Sequence, residues 1–86
     1  MKEKELLIEF YHVKNHSFIK EIDITKYSLQ RINEICPPND EGDFEYCNSR
    51  YVREYEFDIL KNYITELSDY NYRDFIYNII TRATWG

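Results

Sequence analysis

The side chains best suited to metal binding or nucleophilic catalysis in this chain are two histidines and two cysteines. His12 and His16 are four residues apart, but polar turn-forming residues separate them, so the geometry of a shared helical face does not apply. Cys36 and Cys47 are too few for a disulfide framework or a four-ligand zinc site. No secretion signal is recognisable, so we expect both thiols to be reduced. The sequence therefore predicts neither a metal site nor a catalytic cysteine.

Other catalytic arrangements are equally weak. The acidic stretch at residues 39–45 is rich in oxygen ligands, but it lacks the spacing and the closing glutamate of a calcium loop. Carboxylate pairs for glycoside hydrolysis can be chosen among 16 acids, yet 86 residues with two glycines hardly build a deep cleft. No glycine-rich phosphate loop is present. We therefore expect a binding protein without a cofactor rather than an enzyme.

The charge of the chain is concentrated in one segment. The formal net charge is −5, and residues 40–58 carry all of it, because the rest of the chain is neutral in sum. Such a block creates a local negative field that attracts a basic partner and disfavours direct contact with nucleic acid. The alternative interpretation is an ordinary solvated surface that keeps the protein soluble. The block consists of seven acids and two arginines: Asp40, Glu41, Asp43, Glu45, Glu54, Glu56, Asp58, Arg50 and Arg53.

Tyrosines are interleaved with this acidic block. Nine tyrosines exceed what the core of a small domain can absorb, so some of them must lie on the surface. Tyrosine is common at the centre of protein interfaces, because it combines a large apolar ring with a hydroxyl group. The sequence therefore predicts a protein-binding surface. Its expected contact residues are Asp40, Glu41, Asp43, Glu45, Tyr46, Tyr51, Glu54, Tyr55 and Asp58.

The secondary-structure pattern indicates how these residues are positioned. Two β-rich runs at residues 6–13 and 18–24, around a polar turn, predict an N-terminal hairpin. Ser28 is a suitable N-cap for a short helix that ends at Pro37-Pro38, where Cys36 would fill the core. Residues 44–52 weakly indicate a strand, and residues 53–66 a helix with Ile59, Leu60, Tyr63 and Leu67 on one side. In that helix Glu54 and Asp58 lie near the N-terminus, where the helix dipole also favours them.

The last segment fits two structures. Its apolar residues from Tyr72 to Ala83 recur at helical spacing, which favours a helix. Phe75, Tyr77, Ile79 and Thr81 could equally form one face of a strand, so the strand stays open. In either case residues 1–86 form a single α+β domain. We expect a small antiparallel sheet that begins with the N-terminal hairpin, with two or three helices packed on one face. We further expect a cytoplasmic protein without a membrane-spanning segment.

The order of these features resembles that of small acidic bacterial immunity proteins, including those of contact-dependent growth inhibition systems. The resemblance rests on the acidic-apolar strand KEIDI at residues 20–24, the proline-closed helix at residues 29–38, and the helical sequence FDILKNYI at residues 57–64. It covers about residues 5–80 and carries no specific motif. It implies that the last segment is a strand, and that the protein binds and neutralises a cognate toxin, often a nuclease. The alternative partner is a host nuclease or defence complex, inhibited by a phage-encoded, anti-CRISPR-like mimic of nucleic-acid charge.

Overall fold

A four-stranded antiparallel sheet forms one layer of the protein, and two α-helices cover one of its faces. The computed structural model describes residues 2–85, with side chains described for residues 4–83. The strands lie in the order β2-β1-β4-β3. The expected α+β class is confirmed. The elements are β1 (Lys2–His12), β2 (Phe18–Asp23), α1 (Leu29–Ile35), β3 (Arg50–Tyr51), α2 (Glu54–Tyr63), 3-10 helices at Thr65–Leu67 and Tyr72–Asp74, and β4 (Phe75–Trp85).

The predicted N-terminal hairpin is formed by β1 and β2. The amide of His12 donates to the Ser17 carbonyl at 2.8 Å, and the Asn15 side chain accepts from the Ser17 amide at 2.9 Å. His16 adopts a left-handed conformation with φ of 60° to complete the turn. An irregularity in register between Phe10 and Tyr11 leaves Ile19 without a directly opposite residue.

The last segment is a strand, so the helix favoured by its spacing is wrong. β4 pairs with β1 along its whole length, from Lys2 opposite Trp85 to His12 opposite Phe75. The apolar residues at helical spacing are divided between the two faces of the sheet. Phe75 and Ile79 lie on the side of the helices and pack in the core, whereas Ile76 and Ile80 lie on the other face. Pairing with a long strand and a β-branched, aromatic composition outweigh the helical pattern.

Both helices begin close to their predicted positions. The Ser28 hydroxyl accepts from the Arg31 amide at the start of α1, as an N-cap does. Cys36 follows the helix and is fully buried, as predicted. α2 ends at Tyr63 rather than near residue 66. Ile59, expected on its buried side, is 46% exposed.

Residues 39–49 form a loop, and the predicted strand at 44–52 is reduced to Arg50–Tyr51. The Asp43 carboxylate accepts from the amides of Cys47 and Asn48 at 2.9 and 3.0 Å. Tyr46 has a positive φ of 57°. These contacts turn the backbone amides towards a side chain, so they are not presented to a neighbouring strand.

The core lies between the helices and the face of the sheet that they cover, which we call the inner face. Phe10, Phe57 and Tyr77 form its aromatic centre, with ring centroids 4.8 Å apart for Phe10–Tyr77 and 4.4 Å apart for Phe57–Tyr77. Such packing is worth about 0.5–1.5 kcal/mol per ring pair beyond simple burial. The opposite side of the sheet, the outer face, is not covered by any described element.

Candidate protein-binding surface

Two members of the acidic segment form an ion pair inside the protein. The side chains of Arg50 and Glu56 are 4% and 1% exposed, and two guanidinium nitrogens donate to the carboxylate at 2.7 and 2.6 Å. Arg50 Nε also donates to the Pro37 carbonyl at 2.9 Å, and Glu56 accepts from the Arg53 amide at 2.9 Å. The pair therefore fixes both ends of the loop at residues 39–49, the acidic loop, to the first turn of α2. One acid and one base leave the surface together, so the accessible part of the segment keeps its net charge of −5.

The pKa of Glu56 reflects two opposing effects. Burial raises this pKa, but the hydrogen bonds from Arg50 and from the Arg53 amide, with the charge of Arg50, outweigh burial and hold it below its usual value. The carboxylate is therefore ionised, and the Arg50 charge has a buried counter-charge. Breaking such a pair leaves an uncompensated charge in the interior, which is strongly destabilising.

Two of the predicted contact residues hold the loop in shape. Hydrogen bonds from the Asn48 and Cys47 amides lower the pKa of Asp43, which keeps its carboxylate ionised and turned towards the loop. Asp40 accepts from the Asn48 side chain at 3.3 Å and is otherwise exposed. The loop is thus ordered by its own acids before any partner binds.

The expectation that Tyr46 is a surface anchor is wrong. Its side chain is fully buried, and its hydroxyl donates to the Cys36 carbonyl at 2.5 Å. Burial raises the pKa of this hydroxyl above its usual range. The left-handed backbone at Tyr46 directs the ring inwards, so it fills the core under the loop and presents no area to a partner.

Glu45 lies apart from the other acids. Its carboxylate pairs with Lys4 at 2.8 Å, and both side chains are about half exposed. This hydrogen bond and the Glu45 charge raise the pKa of Lys4. Glu45 borders a shallow cavity of about 140 Å³ that Leu6, Tyr27 and Leu29 also line. Its charge is neutralised within the chain, so it contributes little to a net negative surface.

The exposed members of the predicted site lie on the loop and on the solvent side of α2. Among the described side chains, four members of the predicted site are exposed carboxylates that form no ion pair: Asp40, Glu41, Glu54 and Asp58. Large apolar side chains accompany them, with Phe44, Tyr55 and Ile59 exposed by 57%, 60% and 46%. We call these seven residues, which are exposed on one segment of the chain, the acidic face. Arg53 is the exposed base of this segment.

Tyr51 lies at the edge of this surface. It is 49% exposed on the outer face of β3, and its hydroxyl contacts that of Tyr72 at 2.5 Å. Tyr72 in turn donates to the Val52 carbonyl and lines a polar cleft of about 410 Å³ with Glu54 and Asp58. The Tyr51–Tyr72 contact thus connects the outer face of the sheet to the cleft beside α2.

The histidines and cysteines do not come together. Burial raises the pKa of the Cys36 thiol to about 12, so this group is protonated and inert near neutral pH. Cys47 is exposed on the loop. No group of three or more His, Cys, Asp or Glu side chains among the described residues is arranged to hold a metal ion.

The outer face of the sheet was not expected as a candidate surface. Among the residues whose side chains are described, it carries four carboxylates and Arg82, which pairs with Glu21 at 2.5 Å and with Glu5 at 3.5 Å. These acids alternate with the inward-pointing residues of β1 and β2. This period of two in the sequence could have predicted an acidic outer face. The four acids are Glu5, Glu9, Glu21 and Asp23.

None of the helices described here is long and apolar enough to cross a membrane. Comparison with known proteins gave no relative: no protein-family model matches the chain, and no curated protein or solved structure is significantly similar to it.

Proposed function

We propose that this protein is an immunity-type inhibitor, which binds a toxin domain with a basic surface, such as a nuclease, through the acidic face. The observation that carries the proposal is the combination of unpaired carboxylates with exposed apolar side chains on one anchored segment. Asp40, Glu41, Glu54 and Asp58 supply charge, and Tyr55, Phe44 and Ile59 supply apolar area.

The charge suits a nuclease in particular. A nuclease collects Lys and Arg where it holds phosphates, so a protein that presents carboxylates can occupy the same surface. Unpaired carboxylates also accelerate encounter with a basic partner, which matters for an inhibitor that must act before its target does.

The anchoring of the loop favours tight binding. The Arg50–Glu56 pair and the amides bound by Asp43 fix the loop before association. Less conformational entropy is therefore lost on binding than for a flexible acidic tail. The exposed Tyr55 ring has only two side-chain torsions to immobilise, which suits it to the role of an anchor.

The first experiment is capture of the partner from the native host on the immobilised full chain, with identification by mass spectrometry. The proposal predicts a protein with a basic surface whose activity, such as nuclease cleavage, the chain inhibits in purified form. A toxin encoded beside the chain would indicate immunity, and a host nuclease or defence complex would indicate the alternative inhibitor. A captured partner that lacks a basic surface, or whose activity is unchanged by saturating chain, would contradict the proposal.

The second experiment maps the surface by charge reversal. The double variant Glu41→Lys/Asp58→Lys should lower the association rate about tenfold at low salt and flatten its dependence on ionic strength. The matched control Glu34→Lys/Asp69→Lys makes the same change in net charge at other exposed acids and should change the rate about twofold at most. Equal effects of the two variants would show that overall charge, and not the acidic face, attracts the partner. Asp43 is left unchanged, because its carboxylate holds the loop.

A further inference from the structure

Strand β2 is an unpaired edge of the sheet. It lies at one end of the order β2-β1-β4-β3, so among the described residues only its β1 side has a neighbouring strand. The acidic loop leads into β3, at the other end of the sheet. An interaction at the β2 edge is therefore spatially separate from the acidic face.

The backbone groups open at this edge can be assigned. The Ile24 amide donates to the Leu6 carbonyl at 2.8 Å, and Ile22 lies opposite Ile8. Because the direction of backbone groups alternates along a strand, Lys20 and Ile22 also bond to β1, whereas Glu21 and Asp23 direct their N–H and C=O groups outwards. The irregularity at Ile19 limits the regular edge to Lys20–Asp23.

The charged side chains that commonly protect an edge strand are held elsewhere. Lys20 extends over the Phe10 and Tyr70 rings of the inner face, and its Nζ donates to the Tyr70 hydroxyl at 2.6 Å. Glu21 reaches across β1 to Arg82 on β4. Asp23 accepts from the Thr25 amide and hydroxyl. The backbone edge is therefore open to another strand, which proteins usually prevent.

The charge beside the edge favours a basic strand. Glu21 and Asp23 lie on the outer face next to Glu5 and Glu9, and Arg82 is the base among them. Hydrogen bonds from Thr25 lower the pKa of Asp23, so its carboxylate is ionised. A strand added to β2 places two alternate side chains directly opposite Glu21 and Asp23. Glu21 already pairs with Arg82, but four acids beside one Arg leave this part of the outer face with a net negative charge. Lys or Arg at those two positions meets that charge, with an apolar residue between them opposite Ile22.

A second copy of this chain fits the edge poorly. In a two-fold symmetric continuous sheet, β2 would pair antiparallel with itself, and opposed residues would share a face. Every such register within Lys20–Asp23 opposes like charges: Lys20 with Lys20, Glu21 with Glu21, Glu21 with Asp23, or Asp23 with Asp23. Like charges directly opposite each other destabilise strand pairing.

We propose that β2 is a docking edge for an extended segment of a partner protein, with Lys or Arg at alternate positions, which adds to the sheet as a fifth, antiparallel strand. The backbone hydrogen bonds provide affinity, and the pairing of basic residues with Glu21 and Asp23 provides register. This inference does not depend on the acidic face or on the nature of its partner.

A synthetic peptide tests the proposal with the full chain. The probe is the capped peptide Thr-Lys-Val-Lys-Thr, whose two lysines would lie opposite Glu21 and Asp23. Binding should slow amide hydrogen exchange of Glu21 and Asp23 about tenfold at saturation, which purely electrostatic contact would not do. In a second peptide the backbone nitrogens of both lysines are methylated. This peptide keeps its charge but loses the N–H groups that face β2, so it should bind about tenfold more weakly. N-methylation at valine, which faces away, should leave binding within about twofold.

Each other outcome overturns the proposal. Equal binding of the two N-methylated peptides would mean that no strand is added. If the Glu21 and Asp23 amides are protected without peptide, and more strongly at higher protein concentration, the edge serves self-association instead. The variant Glu41→Lys/Asp58→Lys serves as a control, because those residues belong to the acidic face. The peptide should bind it with unchanged affinity; loss of binding would place the peptide on the acidic face and not on β2.

Discussion

Replacing Glu56 by alanine should strongly destabilise the fold, because it breaks a buried ion pair. The carboxylate is 1% exposed, accepts two hydrogen bonds from Arg50 and one from the Arg53 amide, and is the counter-charge of a buried guanidinium. Removal of one partner of such a pair costs about 3–5 kcal/mol. A domain of this size has a total stability of roughly 4–13 kcal/mol, so Glu56→Ala should remove a large fraction of it.

The assay is urea unfolding followed by far-ultraviolet circular dichroism. Arg50→Met should have a similar cost, since it leaves Glu56 buried without its partner. The double variant Arg50→Met/Glu56→Leu removes both charges and fills the space with apolar atoms, so it should lie within about 1 kcal/mol of the parent protein or above it. A loss below about 1 kcal/mol for Glu56→Ala, or a double variant as unstable as the sum of the single variants, would refute a buried and coupled pair.

Three further predictions concern individual side chains. In the folded protein a thiol reagent should label Cys47 rapidly and Cys36 only after unfolding, because Cys36 is buried with a pKa raised to about 12; fast labelling of both would contradict this core. Hydrogen bonds from Tyr27 and Lys26 lower the pKa of Glu66 from 4.5 to about 2, so its contribution to stability is complete above pH 4.5 and is lost as the pH falls towards 2. The fall in Tm over that range should be shallower in Glu66→Gln, and an unchanged slope would show that Glu66 has no such role. Tyr46→Phe removes the hydrogen bond to the Cys36 carbonyl and should lower the free energy of unfolding by about 1 kcal/mol, whereas a neutral effect would mean that the hydroxyl is not needed.

The features that could be predicted from the sequence are those with strong local signals. The hairpin follows from two β-rich runs around a polar turn, and α1 follows from the Ser28 cap and the prolines. β4 could not be recognised, because its apolar residues fit periods of both two and 3.6, and only pairing with β1 selects the strand.

The candidate surface was predicted only in part, because the sequence shows local composition but not contacts between distant residues. Local composition located the acidic segment, and the structure leaves Asp40, Glu41, Glu54, Tyr55 and Asp58 exposed. Local composition could not show that a left-handed backbone turns Tyr46 into the core, or that Glu56 pairs with Arg50 across the loop. The open edge of β2 depends on the strand order, which no local pattern specifies.

The measurement that tests the central proposal most directly is the association rate of the captured partner with the chain as a function of ionic strength. With the parent protein, the rate should fall steeply as salt increases, because unpaired carboxylates attract a basic surface. With Glu41→Lys/Asp58→Lys, the rate should be about tenfold lower at low salt and nearly independent of it. The same rate and the same salt dependence for both proteins would contradict the assignment of the acidic face as the binding surface.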